Sequence, residues 1–81
     1  MKVRVKLFAE FRRVAGTEQI EIEMPASATV GDVVETARRK FPALRPFAGS
    51  TLVAKGLEFA EPTERVREGD EISLMPPVMG G

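Results

Sequence analysis

The chain has 81 residues, 43% of them hydrophobic and 30% charged, with 12 basic residues set against 12 acidic ones. That is the size and composition of a single globular domain, with no apolar run near the ~18 residues a membrane span needs and no signal-peptide core. A net charge of zero argues against nucleic acid as a partner, and the absence of Cys and His removes a disulfide framework, soft metal sites and the side chains most used for catalysis near neutral pH.

The first element reads as a strand. Residues 2–8 alternate, with Lys2, Arg4 and Lys6 on one face and Val3, Val5 and Leu7 on the other, the period of a half-buried strand. Residues 18–24 repeat the pattern, Glu21 and Glu23 outward and Ile20, Ile22 and Met24 inward. An antiparallel pairing of the two would set basic residues opposite acidic ones. The link from Ala9 to Thr17 carries Phe11 and Val14 at helical spacing and closes on Gly16, so a helical turn or a wide loop is expected there.

Residues 29–41 predict the main helix. Val30, Val33, Val34, Ala37 and Phe41 form one apolar stripe. Thr29 is its expected N-cap, with Asp32 completing a capping box. Arg38, Arg39 and Lys40 suit the negative end of the helix dipole, and Pro42 stops the helix. After a Pro- and Gly-containing stretch, Leu52-Val53-Ala54 forms a short apolar run ending at Gly56, and Leu57 and Phe59 begin a further short strand. Glu68-Gly69-Asp70 is a turn, followed by a last strand over 71–75 with Ile72 and Leu74 inward. One helix on one face of a small mixed sheet is an α+β architecture. The expected division is a body over 1–75 and an extended tail over 76–81.

The tail is where the chain can offer chemistry. Pro76 and Pro77 favour an extended path away from the sheet, and six extended residues reach roughly 20 Å. Gly80 and Gly81 have no side chain to obstruct a narrow channel, and Gly81 ends in an unhindered carboxylate. A partner using ATP can adenylate such a group, and a sulfur donor or an amine can then displace AMP. As an enzyme in its own right the chain is poorly equipped. Glu21/Glu23 and Asp70/Glu71 read as strand faces and turns rather than catalytic dyads.

From Val3 to Gly81 the sequence resembles the small subunit of molybdopterin synthase (MoaD-like), among the ubiquitin-like β-grasp sulfur carriers that include ThiS-like proteins. The resemblance is carried by Lys6-Leu7-Phe8-Ala9 with Arg12 and Gly16, by Glu68-Gly69-Asp70-Glu71, and above all by Met75-Pro76-Pro77-Val78-Met79-Gly80-Gly81. It implies a β-grasp sheet of four to five strands with one main helix on one face. It further implies that Gly81 is adenylated by a MoeB-like activating enzyme and converted, with a sulfur donor, to a thiocarboxylate. A MoaE-like large subunit would then admit the tail (Pro77, Val78, Met79, Gly80), supply the catalytic side chains and pass the sulfur to a pterin precursor. No cofactor or metal is implied for the chain itself, and its expected setting is the cytoplasm.

Phe8, which puts an aromatic on the charged face of the first strand, and Met75 at the end of the last are expected at the partner interface. Phe59 is a candidate there or a residue that completes the core or its rim, and Arg12 a candidate contact with the activating enzyme or a solvated loop arginine. Met79 stands where the family favours Ser or Thr, and Lys55 where it favours Asn. The alternatives are a ThiS-like or ubiquitin-related carrier serving thiazole or tRNA thiolation, a protein modifier joined to lysines through Gly81, and a docking module with an inert tail.

Overall fold

The computed structural model describes residues 1–76, with the backbone alone at 47–50. Five strands make one mixed sheet: β1 (Lys2–Leu7), β2 (Gln19–Glu23), β3 (Leu52–Lys55), β4 (Glu58–Phe59) and β5 (Glu71–Met75). Their order across the sheet is β2-β1-β5-β3-β4, with β1 and β5 parallel and the other neighbours antiparallel. Helix α1 (Glu10–Ala15) links β1 to β2, and the long helix α2 (Val30–Lys40) follows β2. This is the β-grasp arrangement, with all of α2's apolar stripe against one sheet face.

The alternation of β1 fixes which face that is. Val3, Val5 and Leu7 are buried, as are Ile72 and Leu74 of the central strand β5 and Ile22 of β2. Val30, Val33, Val34 and Ala37 of α2 close over them. Phe11, the aromatic of α1, is 1% exposed and fills the end of the same core. Gly16 ends α1 in the left-handed conformation (φ 76°) and donates its N–H to the Arg12 carbonyl, a conformation that favours glycine.

The N-terminus of α2 has a complete account of its hydrogen bonds. The Thr29 hydroxyl accepts from the Asp32 N–H, and the Asp32 carboxylate accepts from the Thr29 N–H, so the capping box is present. The Val30 N–H donates to the Glu64 carbonyl (2.8 Å) and the Gly31 N–H to the Pro62 carbonyl (2.9 Å). These are groups a helix cannot satisfy internally. A Cβ at Gly31 would stand 3.2 Å from the Pro62 carbonyl oxygen, which accounts for glycine there. The loop after β4 thus straps the helix start to the far edge of the sheet, a role that periodicity alone does not disclose.

Two details differ from expectation. The stretch after α2 is a 3₁₀ segment, Pro42–Ser50, with proline in its first turn; Pro42 ends the α-helix yet suits the start of another helical turn. The strands β1 and β2 pair in the expected sense, Arg4 opposite Glu21 and Lys2 opposite Glu23. The ion pairs of Arg4 and Lys6, however, run to Glu71 on the other neighbour, at 3.7 and 3.9 Å. The parallel β1–β5 pairing sets Arg4 directly beside Glu71, and that adjacency is not visible from the period of either strand.

Candidate functional site

Among the described residues no helix covers the second face of the sheet, and the sequence loads it with apolar groups at one end. Alternation turns Lys2, Arg4, Lys6 and Phe8 away from the core. On β5 it does the same for Glu71, Ser73 and Met75. Register extends the set: Leu52 lies opposite Met75 and Ala54 opposite Ser73, while Phe59 lies opposite Ala54. Residues directly opposite in a sheet share a face. Phe8 is 42% exposed, Leu52 39% and Phe59 75%, an unusual density of open hydrophobes for so small a domain.

The two residues expected from broken alternation line one recess. Phe8 and Met75 stand on the rim of a shallow recess of ≈ 360 Å³, floored by Ala54 and Ser73 and bounded on the far side by Leu57. Phe59 lies on the same face one strand out and is exposed rather than in the core. Leu57, at the tip of the β3–β4 hairpin, is completely exposed. Sequence reasoning missed Leu52, Ala54 and Leu57 as members of this face. The four-residue strand β3 is too short and too uniformly apolar to display its alternation, and only its register against β5 assigns Leu52 and Ala54 outward.

Arg12 is on α1, and its guanidinium lies 3.9 Å from the Glu18 carboxylate, both side chains being well exposed. It borders a second, smaller recess of ≈ 130 Å³ that Phe8 also lines, together with Lys6 and Gln19. The Phe8 ring is therefore a shared wall between an apolar recess and a charged one. Glu71, with Arg4 and Lys6 around it, makes the polar margin of the larger recess.

The chain leaves the sheet at this apolar end. The Phe8 N–H donates to the Leu74 carbonyl (3.2 Å), so the end of β1 still holds β5 one residue before Met75. Pro76, next in line, has no N–H to continue the ladder. Pro77, Val78, Met79, Gly80 and Gly81 lie outside the described residues. The departure from family pattern at Lys55 has a local explanation. Its ammonium reaches the Glu64 carboxylate (3.4 Å) and donates to the Arg65 carbonyl (3.2 Å), tying the end of β3 to the strap over α2. Among the described residues no helix is long and apolar enough to cross a membrane.

Comparison with known proteins agrees with this geometry. The molybdopterin synthase sulfur carrier subunit of Arabidopsis thaliana is 27% identical over the whole of this chain and 84% of its own length. The small archaeal modifier protein 1 of Haloferax volcanii is 36% identical over 94% of this chain and 97% of its own. The crystal structure of SAMP1 from Haloferax volcanii superposes with a TM-score of 0.90 at 35% identity, covering 100% of both chains. The ThiS family pattern matches residues 5–81, all but the first four positions, and the chain belongs to the ThiS family.

Proposed function

We propose that this protein is the sulfur carrier subunit of a molybdopterin synthase and that its working group is the Gly81 carboxylate. The observation that carries the reading is a conjunction. A strand ending at Met75 leaves the sheet at an open apolar face, and the sequence beyond it is Pro-Pro-Val-Met-Gly-Gly. The open face is a docking surface and the tail, over 76–81, is the part that enters a partner. The name borne by the Arabidopsis relative, a synthase subunit, supports the choice of a large-subunit partner.

In this reading the Gly81 carboxylate attacks the α-phosphorus of ATP on a MoeB-like activating enzyme and releases pyrophosphate. A sulfur nucleophile then displaces AMP and leaves a thiocarboxylate. Phe8, Met75 and Phe59 seat the body on a MoaE-like large subunit, Arg12 borders the contact, and Pro77 to Gly80 thread its channel. The large subunit supplies the acid–base groups that a chain without Cys or His cannot. No cofactor is assigned to the carrier, and the exchange takes place in the cytoplasm.

The 36% identity to a small archaeal modifier supports a second reading, in which an amine rather than sulfur takes the acyl group and Gly81 becomes joined to lysines. One experiment separates them. The protein is isolated from a host that holds its activating enzyme, treated with iodoacetamide and mapped by tandem mass spectrometry. With no cysteine in the chain, a carbamidomethyl group on Gly81 reports a thiocarboxylate. Mapping is required because replacing oxygen by sulfur adds nearly the mass of one methionine oxidation. An unlabelled Gly81, with its remnant found on target lysines, replaces the carrier reading with the modifier.

A further inference from the structure

Between Leu7 and α1 the backbone does something the residue type resists. Ala9 has φ 51° and ψ −124° and is the one non-glycine residue at positive φ among those described. These are the angles of the first central residue of a type II′ turn, where glycine is the favoured occupant. The turn is closed, because the Phe11 N–H donates to the Phe8 carbonyl at 3.0 Å. An L-residue there brings its Cβ against neighbouring backbone, and such outliers persist only where the surroundings over-determine them.

The surroundings do so from both sides. The Phe8 N–H is held by the Leu74 carbonyl (3.2 Å), the Ala9 carbonyl accepts from the Arg13 N–H (3.2 Å), and Phe11 is locked in the core at 1% exposure. The elbow thus sends two aromatics three residues apart to opposite destinations. Phe11 goes under the sheet, and Phe8 goes onto the open face as the wall shared by both recesses. Glycine would give the same path without the steric conflict but with far more conformational freedom.

We propose that Ala9 is a positioning residue for docking: its strained turn restricts the chain at Phe8, so that the ring is already placed when the large subunit arrives. The docking half of this inference rests on the reading of the open face as the partner surface; the strain and ordering halves concern this chain alone. Preorganisation of this kind raises affinity by removing an ordering term from binding.

The test uses two replacements that relieve the same strain and differ in stiffness. In Ala9→Gly the turn is relaxed and loosened. Replacement of Ala9 by D-alanine, through chemical synthesis of the full chain, relaxes the turn and keeps it stiff, since the mirror image of these angles is ordinary extended backbone. Both are expected to raise Tm, by a few degrees for glycine and more for D-alanine. By NMR, the Phe8 amide and ring are expected to gain amplitude on the ps–ns scale in the glycine variant only. Affinity for the large subunit is expected to fall about 3- to 10-fold with glycine and to hold with D-alanine.

A lower Tm for both variants overturns the strain. A higher Tm with Phe8 as ordered in Ala9→Gly as in wild type overturns the positioning role. Loss of affinity in the D-alanine protein equal to that in the glycine protein also overturns it, because stiffness would then not matter. If wild-type protein itself fails to bind the large subunit, the partner reading falls, and Tm with Phe8 order still decides the inference about Ala9.

Discussion

The two faces of this one sheet are made by the same strands and have opposite uses for their apolar residues. On the covered face Val3, Val5, Leu7, Ile72 and Leu74 are each at most 2% exposed and hold α2 in place. On the open face Phe8, Leu52, Phe59 and Met75 stand among Arg4, Lys6, Glu71 and Ser73, and among the described residues no helix covers them. A side chain's identity as a hydrophobe therefore says little; its parity in the strand says whether it is buried under α2 or left on the open face. The covered side is the one that cannot lose a side chain cheaply. Ile72→Ala removes a side chain at the centre of the core and is expected to cost about 2–5 kcal/mol. A domain of 81 residues has about 4–12 kcal/mol in all. Urea titration of this variant should show a midpoint far below wild type or no folded baseline. A midpoint close to wild type would mean that the covered face is not the source of stability.

The reciprocal experiment on the open face should leave folding alone. Phe59→Ala truncates a ring that is 75% exposed, so its expected change in stability is within ~0.5 kcal/mol. Docked against a partner the same ring would be desolvated, and its loss is expected to weaken binding to the large subunit about 10- to 100-fold, the range of an aromatic anchor. Isothermal calorimetry beside thermal melting separates the two quantities. An unchanged affinity would move the docking surface off this face and with it the proposed role of Phe59.

Much of this division was legible in the sequence. Six alternating residues disclose β1 and both its faces, and the same period marks Phe8 and Met75 as hydrophobes of the wrong parity for the core. Thr29 and Asp32 announce the helix start because a capping box is a purely local device. What stayed hidden is long-range. The parallel neighbour of β1 redirects Arg4 and Lys6 to Glu71, and the strap over α2 depends on carbonyls of Pro62 and Glu64 that carry no side-chain signature. Leu52 and Ala54 belong to the open face by register alone. The strain at Ala9 was also out of reach, since alanine has no turn preference to advertise and its conformation is imposed by what Phe8 and Phe11 each do elsewhere.

Lys55 lies where the two faces meet. Its partner across the sheet is Ile72, so it has the parity of the covered face, yet it sits at the rim and reaches out to Glu64. Its stem covers apolar surface while its ammonium stays in contact with water. If parity assigned function without regard to position, losing this charge should hurt folding as a core substitution does. The geometry argues otherwise, because exposed ion pairs contribute little. Lys55→Met, which keeps the stem, is expected to leave the melting midpoint at neutral pH nearly unchanged. The pair should be visible in acid instead. The Glu64 carboxyl is held below its ordinary value of 4.5, first by the Glu61 N–H that donates to it and then by Lys55. A carboxyl whose pKa is lower folded than unfolded contributes stability that is present above the unfolded value and lost as pH falls through the folded one. Melting curves taken downward from pH 5 should therefore lose midpoint less steeply in Glu64→Gln than in wild type, with Lys55→Met in between. Parallel curves for all three would show that the strap over α2 is held by its backbone hydrogen bonds and the capping box alone, and that the rim of the covered face is as indifferent to charge as its centre is intolerant of it.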